Sequence, residues 1–522
     1  MPCSLAERHE WCKELPVVDY KDEEGKEYCI FHAPQGKKGV SVEEFNKLIF
    51  KRINEAKVKN DCCNLSGTVF SGDIIFSQVG VLSSLPPIDF SHCEFNGETG
   101  FSDVLFSGGV DFSSAKFSKE AAFVDAEFRN RADFSGANFQ EVAYFTGVEF
   151  SGYAHFYGAR FGGRATFWVA RFTDEAIFRF AEFNEEADFS GAEFSKKASF
   201  KFTRFKEGAS FSRVIFNGIA DFHKAKFEKE TDFHAVTFNE RTYFFEETFI
   251  KGADLRRLII EKTVRFENVN LKKVSFMDTN LRKIDFINCN WYRKFDRDVL
   301  YDELLLYTFD KLLIYTGEVE VKESLLFDDD KEAKNSFQGL KQRFSKLRKY
   351  FSHPKERTKK VEILYRRLKQ KYKEEHNEPE VSNWHYGEKE MFRKRNNWRR
   401  YFPSLSTLYW LSSGYGERAV RAGVVLILLI LVLSVLFGLT GLSPLNQSPP
   451  YEIAEIKGWA DVMNIQNLWA FILNTLQYAT FERKPDFIPK TIYGGYLKLA
   501  ARILIPLQAA LFALAARNRF RR

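Results

Sequence analysis

Three cysteines and one histidine near the start of the chain are residue types that bind metal ions. Cys3, Cys12, Cys29 and His32 follow the spacing C-x8-C-x16-C-x2-H, and one turn of chain can bring the last two together. Thiolate sulfur and imidazole nitrogen are the usual ligands of structural zinc. The spacing matches no specific zinc motif. Two interpretations therefore stay open, a structural zinc site with these four ligands and a set of ordinary free thiols.

A short polar segment near the end of the chain has residue types that can line an ion pathway. Residues 479–486 read Ala-Thr-Phe-Glu-Arg-Lys-Pro-Asp. Around a pore made of several copies, carboxylates form rings that favour cations. Arg483 and Lys484 would oppose that preference. The candidate pore residues are Thr480, Phe481, Glu482 and Asp486.

Two long apolar stretches flank this polar segment. Residues 422–442 carry no charge over 21 positions, which is enough to cross a bilayer; a buried helix of a soluble domain is the alternative. The second stretch contains Lys498 and Arg502 and leaves 14 uncharged residues after them. Between the two, an apolar helical segment is too short to cross. We predict spans at about 420–442 and 496–516 and a re-entrant pore helix at about 467–480.

The flanks of these stretches predict the orientation in the membrane. Basic residues precede the first span and follow the second, so both termini are expected in the cytoplasm. They are Arg393, Lys394, Arg395, Arg399, Arg400, Arg418, Arg421, Arg517, Arg519, Arg521 and Arg522. Non-helical backbone at membrane depth must be buried in protein or face water, so a re-entrant segment requires several copies of the chain. Pro506 is the candidate gate, because proline kinks a helix.

Charge is segregated along the chain. Formal charges sum to about −7 over residues 91–250 and to about +12 over residues 341–410. The basic run from Lys341 to Lys373 is compatible with nucleic-acid binding or with a helical connector under the anionic cytoplasmic face of a membrane. We favour the connector, because an apolar span follows, and expect no nucleic-acid partner. Seven cysteines, an odd and sparse set, indicate a reducing compartment.

Phenylalanine recurs with a fixed spacing in the first half of the chain. The chain has 55 Phe among 522 residues, and a series of 30 of them, from Phe90 to Phe249, alternates in steps of five and six. A helical repeat does not explain this spacing, because the two Phe of a unit would lie about 140° apart around the helix and so on different faces. A single β-strand does not explain it either, because a step of five residues moves the next Phe to the opposite face of the strand. A chain that turns a corner every five or six residues places every Phe inside.

This repeat resembles the pentapeptide-repeat family, as in Ala132-Asp-Phe-Ser-Gly followed by Ala137-Asn-Phe-Gln. The resemblance covers residues 63–291 and implies a right-handed, four-sided β-helix in which the Phe and the small residue two before it point inward. The six-residue steps predict 22 residues per coil and two loosened corners. At about 4.8 Å per coil, about nine coils form a rod of roughly 45 Å. After Leu255 the spacing becomes five throughout.

The C-terminal hundred residues and the connector resemble the pentapeptide-repeat-linked ion-channel family. The matching segments are Leu364-Tyr365-Arg-Arg-Leu-Lys-Gln, Tyr386-Gly387-Glu388-Lys-Glu-Met391 and Ser412-Ser-Gly-Tyr-Gly-Glu-Arg418. The resemblance implies a bacterial, two-span, potassium-channel-like pore domain. Potassium-selective relatives place T-x-G-[YF]-G after the pore helix, whereas here only Thr480 matches, and Gly414-Tyr415-Gly416 precedes the first span. We therefore expect cation conduction without potassium selectivity.

The sequence thus predicts a mainly β fold, with an α-helical connector and an α-helical transmembrane pore domain. Residues 1–60 form an N-terminal module in which a helix capped by Ser41 runs to Ala56 and closes the solenoid. Residues 63–291 form the β-helix, 292–412 the helical basic connector and 413–522 the membrane domain.

The predicted function is an inner-membrane ion channel with a cytosolic sensor or docking domain. The expected partners are ions, the lipid bilayer, further copies of the chain, most simply as a tetramer, and an unidentified cytosolic protein. We expect no enzyme, because no His, Asp or Ser cluster recurs in catalytic spacing. The alternative is a membrane-anchored scaffold without conductance.

Overall fold

The chain folds into two compact units, Met1–Lys322 and Glu323–Arg522. The computed structural model describes residues 3–34, 36–77, 84–246, 248–294, 297–306, 354–395, 405–445, 453, 462–483 and 485–520. Lys484, Arg399, Arg400, Arg521, Arg522 and the part of the basic run before residue 354 lie outside the described residues.

The first unit is a four-sided β-solenoid of about ten coils. Its parallel sheets have eleven strands on side 1, eight on side 2, ten on side 3 and nine on side 4. Side 1 runs from Cys63–Asn64 to Ile284–Ile287, side 2 from Val69–Phe70 to Lys226–Phe227, side 3 from Ile74–Ile75 to Val274–Ser275, and side 4 from Ser84–Leu85 to Ile259–Ile260. Most strands have two residues, because the chain turns a corner every five or six residues.

The strand register confirms the predicted coil length. Ala132 pairs with Ala154 on side 1, and Glu127 pairs with Glu149 on side 4, each 22 residues on. Near the C-terminal end, Val264 pairs with Ile284, 20 residues on, as the change to five-residue steps predicts. The fold is the predicted β-solenoid, with about one coil more than expected because the irregular first and last coils also pair.

The two kinds of corner differ in hydrogen bonding. At the five-residue corners the chain closes a turn, as where Ala115 N–H donates to the Phe112 carbonyl at 3.0 Å. At the six-residue corners of residues 84–246 no such bond forms. The five-residue corner places its third residue in the left-handed region, with φ of 65° at Gly136 but also 57° at Val169. The next coil holds this conformation, since Val169 N–H donates to the Ser190 carbonyl at 3.0 Å.

Phenylalanine rings form one stacked column on each inner side. Phe134, Phe156 and Phe178 are parallel, with ring centroids 4.9 and 4.8 Å apart. Neighbouring columns meet edge to face, as where Phe134 and Phe145 are 5.5 Å apart at 90°. Both arrangements are favourable for aromatic quadrupoles. The rings are fully buried, so this repeated packing is the core of the unit.

The N-terminal end of the solenoid is covered by helix α1 and a small module. Helix α1, Val42–Lys59, has the predicted cap: the Ser41 hydroxyl accepts from Glu44 N–H, and the Glu44 carboxylate accepts from Ser41 N–H. It ends at Lys59, three residues beyond the prediction. The module before it contains the 3-10 turn Glu10–Cys12 and the antiparallel strands Val17–Lys21 and Glu27–Cys29.

The C-terminal end of the solenoid is closed by polar contacts. After the 3-10 turn Leu281–Lys283, strands Tyr292–Lys294 and Arg297–Val299 pair antiparallel, and residues 301–306 are helical. The buried Asp302 carboxylate accepts from the Ser275 hydroxyl at 2.6 Å and from Phe276 N–H at 2.9 Å. These bonds satisfy backbone and side-chain groups at the last coil.

The second unit begins with a helical hairpin. Helices α2, Pro354–Glu374, and α3, Glu378–Arg395, pack against each other. Trp384 lies 6.0 Å from Tyr365 between ring centroids. Gly387 allows this close approach, because a Cβ there would overlap the Tyr365 ring.

The remaining helices form one compact bundle. They are α4, Leu405–Ser413, α5, Ala419–Thr440, α6, Ile465–Ala479, and α7, Ile492–Phe520. Strands Leu442–Pro444 and Phe487–Pro489 pair antiparallel next to the end of α5 and the start of α7. Helices α5 and α7 are long and apolar enough to cross a membrane.

Candidate functional site

The short helix α6 runs back along the second half of α5. Phe471 lies against Gly438, where an added Cβ would come within 2.6 Å of the Phe471 ring. One turn later in α6, the Thr475 hydroxyl accepts from the Ser434 hydroxyl at 3.0 Å, and both are buried. From the Phe471–Gly438 contact to the Thr475–Ser434 bond, the residue number rises in α6 and falls in α5. The two helices are therefore antiparallel.

After α6 the chain returns to the level at which α6 began. The Tyr478 hydroxyl donates to the Phe487 carbonyl at 2.6 Å. The Gln477 amide donates to the Asp486 carboxylate, and Gln477 Oε1 accepts from Asp486 N–H at 3.0 Å. Phe487 then pairs with Pro444, just after α5. Residues 480–483, 485 and 486, which we call the return segment, therefore belong to a loop whose two ends are joined by hydrogen bonds.

Two basic side chains of α7 show how deep the return segment lies. Lys498 Nζ is 5.0 Å from the Tyr478 ring centroid, and Arg502 Cζ is 5.8 Å from that of Phe481. Measured from the start of α7 at about 1.5 Å per residue, these positions lie about 9 and about 15 Å along the helix. Helix α7 has 29 residues, about 43 Å at this rise, so Phe481 lies about one third of the way along the helix from its N-terminal end.

The structure brings three of the predicted pore residues to one turn. The Thr480, Phe481 and Glu482 side chains are exposed, and Phe481 has φ of 61°. The Glu482 carboxylate accepts from Arg483 N–H at 3.2 Å. Asp486 instead lies half-buried against Gln477, so its carboxylate holds the return segment. Gln477 and Tyr478 were missed from sequence, because both read as ordinary helix residues there.

The candidate gate, Pro506, lies inside helix α7, which continues through it. It follows Arg502 by one turn. Gln508, two residues further on, donates from its amide to the Ser412 and Ala422 carbonyls, each at 2.9 Å. This buried amide fastens α7 to the start of α5.

Helices α5 and α7 expose most of their apolar surface in the single chain. Only 28% of the apolar stretch of α5 and 22% of that of α7 is buried. Their exposed apolar residues include Val424, Ile427, Leu428, Val432, Leu499, Ile503 and Leu507. A core helix of a soluble domain would be mostly buried, so this surface needs a lipid or protein neighbour.

Two of the three segments that carry the ion-channel resemblance, Tyr386–Met391 and Ser412–Arg418, meet at the turn between α4 and α5. The Trp410 indole donates to the Tyr386 hydroxyl at 2.9 Å, and the Tyr415 hydroxyl donates to the Glu390 carboxylate at 3.5 Å. Gly414 and Gly416, with φ of 55° and 77°, form this turn. Hairpin α2–α3 is therefore attached to α4 and to the turn that precedes α5.

The four predicted metal ligands of the first unit lie together. The ligand atoms of Cys3, Cys12, Cys29 and His32 are all within 4.8 Å of one another, and all four residues are buried. His32 Nδ1 is 3.4 Å from both Cys3 Sγ and Cys29 Sγ. Burial lowers the pKa of His32 to about 4, so its ring is neutral at pH 7.

The other nitrogen of His32 is bonded to the solenoid. His32 Nε2 is 3.0 Å from the Ser66 carbonyl, and as the N–H of the ring it donates there and leaves the Nδ1 lone pair facing the sulfurs. The Trp11 indole donates to the same carbonyl at 3.2 Å. Ser66 lies in the first coil, between strands Cys63–Asn64 and Val69–Phe70. The sequence order of these residues gives no sign of this contact.

Comparison with known families supports the repeats. The family model of pentapeptide repeats (9 copies) matches residues 123–171, 167–215 and 189–237. The prediction of pentapeptide repeats is therefore confirmed for the middle of the solenoid. No curated protein matches the chain.

Proposed function

We propose that this protein is a homotetrameric inner-membrane ion channel, in which α5 and α7 cross the membrane and the return segment lines the pore. The observation that carries the proposal is the path of α6 and the return segment. Helix α6 has 15 residues, about 22 Å at 1.5 Å per residue, and is too short to cross. Helix α6 packs along the second half of α5, and after the return segment the chain pairs with Pro444, just beyond the end of α5.

The exposure of the return segment supports a pore made by several copies. Thr480, Phe481 and Glu482 lie on the surface of one chain, at the depth of Arg502. Non-helical backbone at that depth requires burial in protein or contact with water. Copies arranged around an axis provide both, and they also cover the exposed apolar faces of α5 and α7.

The residues of the return segment set the proposed selectivity. No glycine follows Thr480, so the backbone carbonyl ladder of a potassium filter is not expected. Glu482 has the exposed carboxylate, whereas Asp486 is held by Gln477. We therefore assign the cation preference to a ring of Glu482 side chains, opposed by Arg483 and Arg502.

Ion flux through the purified full-length chain in liposomes tests this proposal. Vesicles containing the protein should pass sodium and potassium at similar rates, and Glu482→Gln should lower the cation preference, measured as a shift of the reversal potential. Glu98→Gln, an exposed carboxylate change in the solenoid, is the matched control. Intact tetramers that pass no ions would contradict the proposal.

The second candidate function is a membrane-anchored scaffold, and an exposed aromatic row on the solenoid favours it. Tyr157, Phe180 and Phe202 occupy the same corner of successive coils, with ring centroids 5.6 and 4.8 Å apart. Phe180 is 40% exposed, which is unusual for this residue type. A scaffold requires no closed ring of chains, so a monomer by native electrophoresis would favour it over the channel.

A further inference from the structure

We propose that Cys3, Cys12, Cys29 and His32 hold one structural zinc ion, and that this zinc centre fastens the N-terminal module to the first coil of the solenoid. The inference is independent of ion conduction. It rests on the distances within the cluster, on its burial and on the bond from His32 to Ser66.

The distances fit a single tetrahedral ion. With Zn–S near 2.3 Å and Zn–N near 2.05 Å, a sulfur and a nitrogen ligand are about 3.6 Å apart and two sulfur ligands about 3.8 Å apart. The two distances from His32 Nδ1 to Cys3 Sγ and Cys29 Sγ are both 3.4 Å, and no ligand pair exceeds 4.8 Å. The thiolates that hold an iron–sulfur cluster are further apart, because several iron and sulfide ions lie between them.

The ligand set is complete and closed, which is typical of a structural site. Three thiolates and one imidazole fill four positions and leave none for water or substrate. Lys38 is buried beside the cluster. Its Nζ donates to the Ile30 carbonyl at 2.5 Å and to the Phe31 carbonyl at 2.9 Å, which fixes the turn between Cys29 and His32.

The bond from His32 to the Ser66 carbonyl is the second contact that a zinc-binding histidine needs. The N–H that does not face the metal usually donates to a carbonyl or carboxylate, which fixes the ring and its tautomer. Here that carbonyl belongs to the first coil. The zinc centre therefore joins the segments around Cys3, Cys12 and Cys29 to the solenoid through one imidazole.

Backbone and aromatic contacts beside the zinc centre also connect the N-terminal module to the first coil of the solenoid. Val69 N–H donates to the Phe31 carbonyl at 2.8 Å. The Phe31 ring contacts Phe45 at 5.9 Å, and Phe45 contacts Phe70 at 6.1 Å, where the stacked Phe of side 2 begin. The module is too small to bury a core of its own, so metal binding supplies part of its folding free energy.

Metal analysis of the full-length chain, purified in detergent without added metal or chelator, is the test. We expect about one zinc per chain by elemental mass spectrometry. Cys29→Ser and Cys12→Ser should each lower the zinc content at least tenfold, whereas Cys62→Ser, a change at an exposed cysteine, should keep it. His32→Cys should retain zinc, because four thiolates also form a structural site.

Several outcomes would overturn the zinc centre. The first is wild-type protein that contains no zinc and gives no tetrahedral cobalt spectrum after cobalt is added. The second is wild-type protein that contains iron in place of zinc. The third is full zinc content in both serine variants. The wild-type measurement decides even where a variant fails to fold. Zinc-free wild-type protein that still conducts ions would overturn this inference alone, and zinc-loaded protein that does not conduct would overturn only the channel.

Discussion

The solenoid and the second unit, which we propose lies in the membrane and call the membrane unit, are each stabilised by a different kind of internal contact. In the solenoid, one contact recurs from coil to coil, such as Phe156 between Phe134 and Phe178. In the membrane unit, α6 and the return segment are fixed by bonds that each occur once, such as Tyr478 to Phe487. Repeated apolar burial gives a stiff scaffold, whereas single polar contacts fix a particular loop at a particular depth. The predictions below test this difference, from the largest expected effect to the smallest.

Removing one ring from a column should have the largest effect. Phe156→Ala leaves a cavity between two stacked neighbours, and we expect a loss of about 3–5 kcal/mol in local stability. Hydrogen exchange of the full-length chain, followed by mass spectrometry, should show the loss in the coils on either side. Tyr157→Ala, at a half-exposed neighbour, is the control. Equal exchange in the two variants would show that the column is not the main source of stability.

The C-terminal end of the solenoid depends on one polar group and should respond to pH. Burial raises the pKa of Asp302 to about 6 from 3.8. Since the folded form binds the proton more tightly, the stabilisation is complete below about pH 4 and is lost as pH rises to about 6. The loss is about 3 kcal/mol.

Hydrogen exchange of the segment 275–303, corrected for intrinsic rates, measures this effect between pH 4 and 7. Asp302→Asn should remove the pH dependence of the local stability. The same dependence in wild type and variant would mean that another group is responsible.

Within the membrane unit, removal of one hydroxyl should loosen the return segment. Tyr478→Phe removes the bond from the Tyr478 hydroxyl to the Phe487 carbonyl, and one such hydrogen bond contributes about 0.5–1.5 kcal/mol. We expect exchange at the return segment to rise by up to about tenfold and the cation preference to fall. Tyr493→Phe, at an exposed tyrosine near the start of α7, should change neither.

The contact between α5 and α6 should have the smallest effect. Hydroxyl bonds between membrane helices contribute about 0.6 kcal/mol on average. A double-mutant cycle of Ser434→Ala and Thr475→Val should give a coupling of that size in detergent unfolding. A coupling above about 2 kcal/mol would contradict the idea that the membrane unit is held by several weak bonds.

The solenoid could be predicted from the sequence because its period is long and uninterrupted. Every Phe of the series with alternating steps of five and six, from Phe90 to Phe249, marks an inward position, and the 22-residue register follows from those steps. The left-handed corners could not be predicted. Glycine marks such a corner at Gly136, but Val169 and Phe180 occupy the equivalent position elsewhere, where stacking between coils overrides the local preference.

The candidate sites could be predicted only in part from the sequence, because contacts between residues far apart in the chain determine their geometry. Residue type alone pointed to the four candidate metal ligands, which the structure brings together, but nothing in the spacing indicated Ser66 as the partner of His32. In the return segment, Glu482 and Asp486 looked equivalent as carboxylates. Their difference comes from Gln477, nine residues before Asp486, which binds one carboxylate and leaves the other exposed.

The central claim is our proposal that the return segment faces water within the depth of the membrane, and thiol modification during current recording tests it most directly. Full-length Glu482→Cys channels in a planar bilayer would be treated from the outer side with a charged, membrane-impermeant thiol reagent, with the wild-type chain and its native cysteines as control. We predict that the current through Glu482→Cys falls after treatment and that the control current does not. A silent bilayer with intact tetramers, or an unchanged Glu482→Cys current after proven modification, would contradict the account.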